Sequence, residues 1–134
     1  GRLDLNSSGL VLLTNDGAWS RRLSSPENKI EKVYQVTVEK PLSGDYVQAF
    51  KDGMYFGYEG ITTQPVTMNI LGEYSAELRL TEGRYHQIKR MFGRFRNPVL
   101  SIHRISIGSI MLDSQLAPGQ NRALTHDETR FIAL

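Results

Sequence analysis

Strict alternation of apolar and polar side chains marks the clearest element of this chain. In Lys32-Val33-Tyr34-Gln35-Val36-Thr37-Val38, residues Tyr34, Val36 and Val38 fall on one face and Val33, Gln35 and Thr37 on the other. That pattern predicts a strand with a buried side. Ala76, Leu78 and Leu80 alternate in the same way within residues 73–81, which are expected to pair with a strand over residues 62–71. Pro65 interrupts the latter and places it at a sheet edge. A further strand is predicted over Val99–Ile107, after the break at Pro98, with a short one over residues 110–112. The run Leu10-Val11-Leu12-Leu13, bounded by turn residues, reads as a buried strand over residues 10–14.

Elsewhere helical signals take over. Asn15-Asp16-Gly17 is a turn signal, and a short helix over residues 18–23 must end near Pro26. Ser43 caps a helix through Tyr46, Val47 and Phe50, stopped by Gly53. A third helix is expected over residues 85–95, where Ile88, Met91, Phe92 and Phe95 form one core stripe. Arg90 and Arg94 fall nearly opposite and are expected to be fully solvated, while Lys89 lies on the flank. Thr125-His126-Asp127-Glu128 has the form of a capping box opening a terminal helix. Strands and helices alternate irregularly with hairpin-like pairs. The fold class is therefore α+β, a mixed, largely antiparallel sheet flanked by helices in a single domain over residues 1–134.

Composition narrows the function classes. The 134 residues, 40% hydrophobic and 22% charged, are those of an ordinary globular domain with a real core. No apolar run approaches the roughly eighteen residues of a membrane helix, and no secretory leader opens the sequence, so a cytoplasmic protein is expected. With no cysteine, disulfides and thiolate metal sites are excluded. Nucleotide-binding glycine loops, zinc-protease and serine-hydrolase signatures are absent. His86, His103 and His126 lack metal-ligand spacing and read as satisfied surface or core histidines, so no metal site is expected.

The net charge is only +2, but it is unevenly spread. Residues 83–112 hold no Asp or Glu, yet contain Arg84, Lys89, Arg90, Arg94, Arg96 and Arg104. Such a stripe is the electrostatic footprint of a polyanion, and interleaved His and aromatic residues favour nucleic acid. A solvated face with counter-charges supplied from elsewhere in the fold is the plainer alternative. Two other positions stay open on residue type alone. Lys89 belongs either to an ordinary cationic helix face or reaches a carboxylate in a cleft wall. Tyr34 is either a packed strand tyrosine or a platform for a nucleobase, a contact worth about 1–3 kcal/mol. Asp4, in the charged and turn-rich opening, is either a surface carboxylate or a chemical one.

Four ordered blocks decide among these readings: "GRLDLNSSGLVLLTNDG", "EKVYQVTV", "EGRYHQIKRMF" and "LAPGQNRALT". Together they resemble the RsuA/RluB/E/F family of bacterial RNA pseudouridine synthases over nearly the whole chain. Tyr85-His86-Gln87 with Leu116-Ala117-Pro118-Gly119 is most similar to its small-subunit ribosomal RNA branch, since large-subunit relatives more often carry Asn-Arg-Gln or Asn-Arg-Glu at the former positions.

The resemblance implies isomerisation of a specific uridine to pseudouridine in small-subunit (16S) ribosomal RNA, without cofactor or metal. Asp4 matches the essential aspartate, a nucleophile or base at the glycosidic bond, which a nearby cation would keep ionised. Lys89 matches the basic partner, an Arg in many relatives. Tyr34 matches the active-site tyrosine that stacks on the target base. Arg2 is similar to the arginine that helps the nucleotide leave its stack. Arg84, Arg90, Arg94 and Arg104 would hold RNA phosphates. Gly9 would allow the turn that aims Asp4 outward. The alternatives are a large-subunit enzyme of the same class or a non-catalytic RNA-binding module. The partner is small-subunit RNA, bare or in a partly assembled particle, and a monomer is expected. The chain is expected to be the larger, C-terminal part of the catalytic domain, preceded in the whole protein by an S4-like RNA-binding module and the first core strands, and poorly active by itself.

Overall fold

The computed structural model describes residues 3–133. One sheet organises them. Its strands run in the order β1 (Ser7–Gly9), β7 (Val99–Ile107), β2 (Lys32–Val38), β6 (Ser75–Leu80) and β5 (Thr67–Gly72), with β8 (Ile110–Met111) also on β7. Every neighbouring pair is antiparallel except β1 and β7, which run parallel with Ser8 opposite His103. The α+β class and the mostly antiparallel sheet are as expected. β2 and β7 have the predicted bounds because period-two alternation and the break at Pro98 both mark them.

The main core packs Val36, Val38, Ala76 and Leu78 of the sheet against α2 (Gly44–Asp52) and α3 (Gln87–Gly93). Phe50, Met91 and Phe92 are fully buried there, and the rings of Tyr46 and Phe95 stack at 3.9 Å. Buried Asn97 ties the end of α3 to the β2–α2 connection: its Nδ2 donates to Lys40 O and to Tyr46 Oη, and its Oδ1 accepts from Lys40 N. A second, smaller cluster gathers Leu10, Trp19, Leu23, Ile107 and Ile110 around α1 (Gly17–Ser24), whose first turn Asp16 caps by accepting from the amides of Ala18 and Trp19.

Four expectations change. The apolar run at 10–14 is not a strand; pairing is confined to Ser7–Gly9, after which the chain leaves the sheet with Leu10 buried and Leu13 exposed. The predicted strand over 62–71 is split at Pro65 into β4 (Ile61–Thr62) and edge strand β5, and β4 pairs instead with β3 (Tyr55–Phe56) in a small separate hairpin. Helix α3 begins at Gln87, not residue 85, because His86 takes a left-handed conformation at φ 49°. Arg90 is not fully solvated: its guanidinium lies 3.8 Å over the Phe56 ring and 2.9 Å from Glu59. No described helix is long and apolar enough to cross a membrane.

The terminal helix α4 (His126–Ala133) opens on the expected capping box, with Glu128 accepting from Thr125 N at 2.8 Å and Thr125 Oγ1 accepting from Glu128 N at 3.2 Å. Arg122 clamps the same carboxylate through two nitrogens, and this pair, then the Thr125 amide, holds the Glu128 pKa down at about 2. A depressed carboxylate contributes stability that is complete above its unfolded value near 4.5 and lost as pH falls toward about 2. Trp19, whose Nε1 donates to Thr129 O, reports on this helix as the single tryptophan of the chain. Acid titration is expected to shift its emission to the red across that window, and Glu128→Gln to show the shifted emission already at neutral pH.

Candidate active site

Asp4 sits in a turn immediately ahead of β1, closed by Ser7 N donating to Asp4 O at 2.9 Å. The turn is aimed by the parallel pairing of β1 on β7, reinforced where Ser8 Oγ and His103 Nδ1 meet at 2.7 Å. Gly9 makes the approach possible. Its φ is 116°, and a Cβ there would stand 2.2 Å from the Arg104 carbonyl oxygen. Leu10 N then donates to that same carbonyl at 2.8 Å.

The Asp4 carboxylate faces a cleft of about 240 Å³ shared with Tyr34, Glu82, Arg84, Tyr85 and His86. Tyr34 reaches it from the centre of the sheet, between Leu78 of β6 and Arg104 of β7, and is half-buried. His86 Nε2 lies 3.9 Å from Asp4 Oδ1, close enough for charge interaction when the ring is protonated but too long for a hydrogen bond. The Tyr85 ring stacks on His86 at 3.9 Å with its other side open to solvent.

The segment carrying these two rings is locked from below. Glu82 accepts from Gln64 N at 2.8 Å and from Gln87 Nε2 at 3.1 Å through one oxygen, and from Arg84 Nε at 2.8 Å through the other. Gln87, almost fully buried, also accepts from Arg84 N. A half-exposed carboxylate beside an aromatic wall, in a turn set by the register of β1 on β7, is equipped to attack or deprotonate a flat ring turned into the cleft. Among the described residues no group of three or more His, Asp or Glu side chains could hold a metal ion.

Two of the three expected catalytic residues, Asp4 and Tyr34, line one cleft. Lys89 is half-buried on α3 and does not line it, and it forms no ion pair among the described residues. Among the described residues the cationic group paired with Asp4 is His86, whose type and spacing read as a satisfied histidine; only its place just before α3 in the "GRYHQIKRMF" block pointed to it. Arg2 lies outside the described residues. Arg84 and Arg94 are exposed, the former paired with Glu82 and the latter donating to Tyr55 O. Arg90 is matched by Glu59. Arg104, expected on an RNA-facing surface, is instead 1% exposed, with its Nε donating to Leu10 O at 2.9 Å. It serves the crossing of the N-terminal segment over β7.

A sheet of this topology with a carboxylate turn and a strand tyrosine at one cleft defines a class, and sequence comparison gives it a name. The profile of the RNA pseudouridylate synthase family matches residues 1–93, and the chain belongs to that family. It is 52% identical over 128 residues to the ribosomal small subunit pseudouridine synthase A of Pseudomonas aeruginosa and 44% identical to that of Escherichia coli K12, each alignment covering 96% of the chain. A crystal structure of a pseudouridylate synthase superposes with a TM-score of 0.96 at 43% identity, covering 98% of this chain and 57% of that one. The chain spans 56% and 55% of the length of the two synthases.

The Glu82–Gln87 lock is directly testable. Gln87→Leu keeps the volume but removes both partners, and is expected to cost about 1–3 kcal/mol in urea unfolding. Hydrogen exchange of the amides over residues 82–87 should accelerate more than that of β6; unchanged protection there would assign the lock no role.

Proposed function

We propose that this chain carries the catalytic part of an enzyme that converts a specific uridine of small-subunit ribosomal RNA to pseudouridine, in the cytoplasm. The observation that supports this most is the convergence of Asp4 and Tyr34 on one cleft in a chain of this family. The named synthases support the small-subunit substrate.

In this reading the target nucleotide leaves its stack, at a cost of a few kcal/mol, and its base enters the cleft against the Tyr34 ring. The N1–C1′ bond breaks with Asp4 acting on the ribose or base, the uracil turns, and C5 bonds to C1′. The C5 proton leaves and N1 gains one, so product and substrate are isomers. His86 Nε2, 3.9 Å from the Asp4 carboxylate, adds positive charge there when the ring is protonated. Lys89, one helical turn further on and outside the cleft lining, is the position that matches the family's basic partner. Exposed Arg84 and Arg94 meet phosphates, giving affinity that falls with salt.

The test uses the full-length protein on small-subunit RNA transcripts assembled with early ribosomal proteins, with pseudouridine mapped by chemical labelling and primer extension. One new stop is expected, lost by at least a thousandfold in Asp4→Asn while RNA binding persists. A stop confined to large-subunit RNA would overturn the substrate. Binding with no stop on either RNA would leave a non-catalytic RNA-binding module.

A further inference from the structure

A second and larger cavity, about 340 Å³, opens beside Tyr34 between α1 and the sheet. Its volume lies in the range of pockets that enclose small organic ligands. Trp19, Leu23 and Ile30 give it an apolar wall, while Lys32, Arg84 and Arg104 bring three cations to it. It adjoins the Asp4 cleft, with Tyr34, Glu82, Gly83 and Arg84 lining both.

One cation of this cavity, Lys32, has no counter-charge among the described residues. Glu82 is the one carboxylate among its described lining residues, and its two oxygens are already taken by Arg84, Gln87 and the Gln64 amide. Arg104 is engaged with the Leu10 carbonyl. The half-buried Lys32 ammonium has no hydrogen-bond or ion-pair partner among the described residues. Burial first, and the Arg104 charge second, push its pKa below the usual lysine value. A cation kept at such a cost to the fold calls for an anion from outside.

We propose that this cavity is a phosphate-binding subsite for the RNA strand: Lys32 takes a phosphodiester adjoining the uridine in the Asp4 cleft, and the apolar wall takes the neighbouring nucleotide. The assignment rests on the RNA reading above. A strand whose uridine is turned into the cleft at Tyr34 must continue past one side of that residue, and on this side it meets an unmatched ammonium. Phosphate contact supplies affinity and register rather than sequence choice.

The experiment compares wild-type full-length protein with Lys32→Met, on RNA carrying a single neutral methylphosphonate linkage placed in turn at each position around the target uridine. Lys32→Met is expected to bind unmodified RNA roughly tenfold more weakly and to lower the slope of log affinity against log salt by about one. Its melting temperature should equal or exceed that of wild type, because a desolvated charge has been removed. In wild type, one linkage next to the uridine should cost the same factor, and that linkage should cost Lys32→Met nothing more. Unchanged affinity and slope in Lys32→Met would overturn the subsite, as would losses that add at every linkage. The two readings fail separately. Absence of pseudouridine in wild-type reactions, with the Lys32 coupling intact, would sink the isomerase assignment alone; modification with no coupling would sink the subsite alone.

Discussion

The close approach of Gly9 to the backbone of Arg104 is the constraint on which the site depends. No side chain can stand there, because a Cβ would occupy the space of the Arg104 carbonyl. The consequence is that β1 lies against β7 with one defined register, and the turn holding Asp4 is carried to the cleft by that register. Residue 104 also pairs with Tyr34 across β2 and β7. Carboxylate, tyrosine and buried guanidinium are therefore all positioned from one point on a central strand, which is how a turn near the edge of a sheet acquires the precision that chemistry requires.

Linear charge density overstated the exposed positive surface. Of the six cations between residues 83 and 112, Arg104 is inside the fold, Arg84 pairs with Glu82, and Arg90 is sandwiched between Glu59 and the Phe56 face. The counter-charges come from segments distant in sequence, as for Glu59, or from just outside the stripe, as for Glu82. Both pairs are partly buried, with the Glu82 side chain 11% and the Glu59 side chain 27% exposed, so these cations are tied into the fold.

Legibility followed the range of the interaction involved. Strands β2 and β7 could be read from alternation and a single proline, because half-burial writes itself directly into residue order. The run at 10–14 misled because apolar residues mark burial, not pairing; Leu10 is buried by crossing over β7, and no local pattern distinguishes the two. The start of α3 was misplaced by two residues, since the left-handed turn at His86 is stabilised by the Glu82–Gln87 lock and not by residue type. That Asp4 and Tyr34 line one cleft was legible only through the ordered motif blocks. The approach of His86 to Asp4 joins segments far apart in sequence, and Lys32, without a partner among the described residues, shows an absence that leaves no trace in sequence.

The parallel pairing of β1 with β7 joins residues 95 positions apart at Ser8 and His103. Loop-closure entropy makes contacts of such separation costly and late to form, whereas the β5–β6 hairpin can close locally. During synthesis the opening turn must wait, unpaired, until the strand ending at Ile107 has left the ribosome and settled beside β2. A nascent chain can own its helices α1 and α2 and still have nowhere to seat its carboxylate. The site thus waits on a strand almost a hundred residues downstream, and local fraying of three-residue β1 can take it apart without melting the rest.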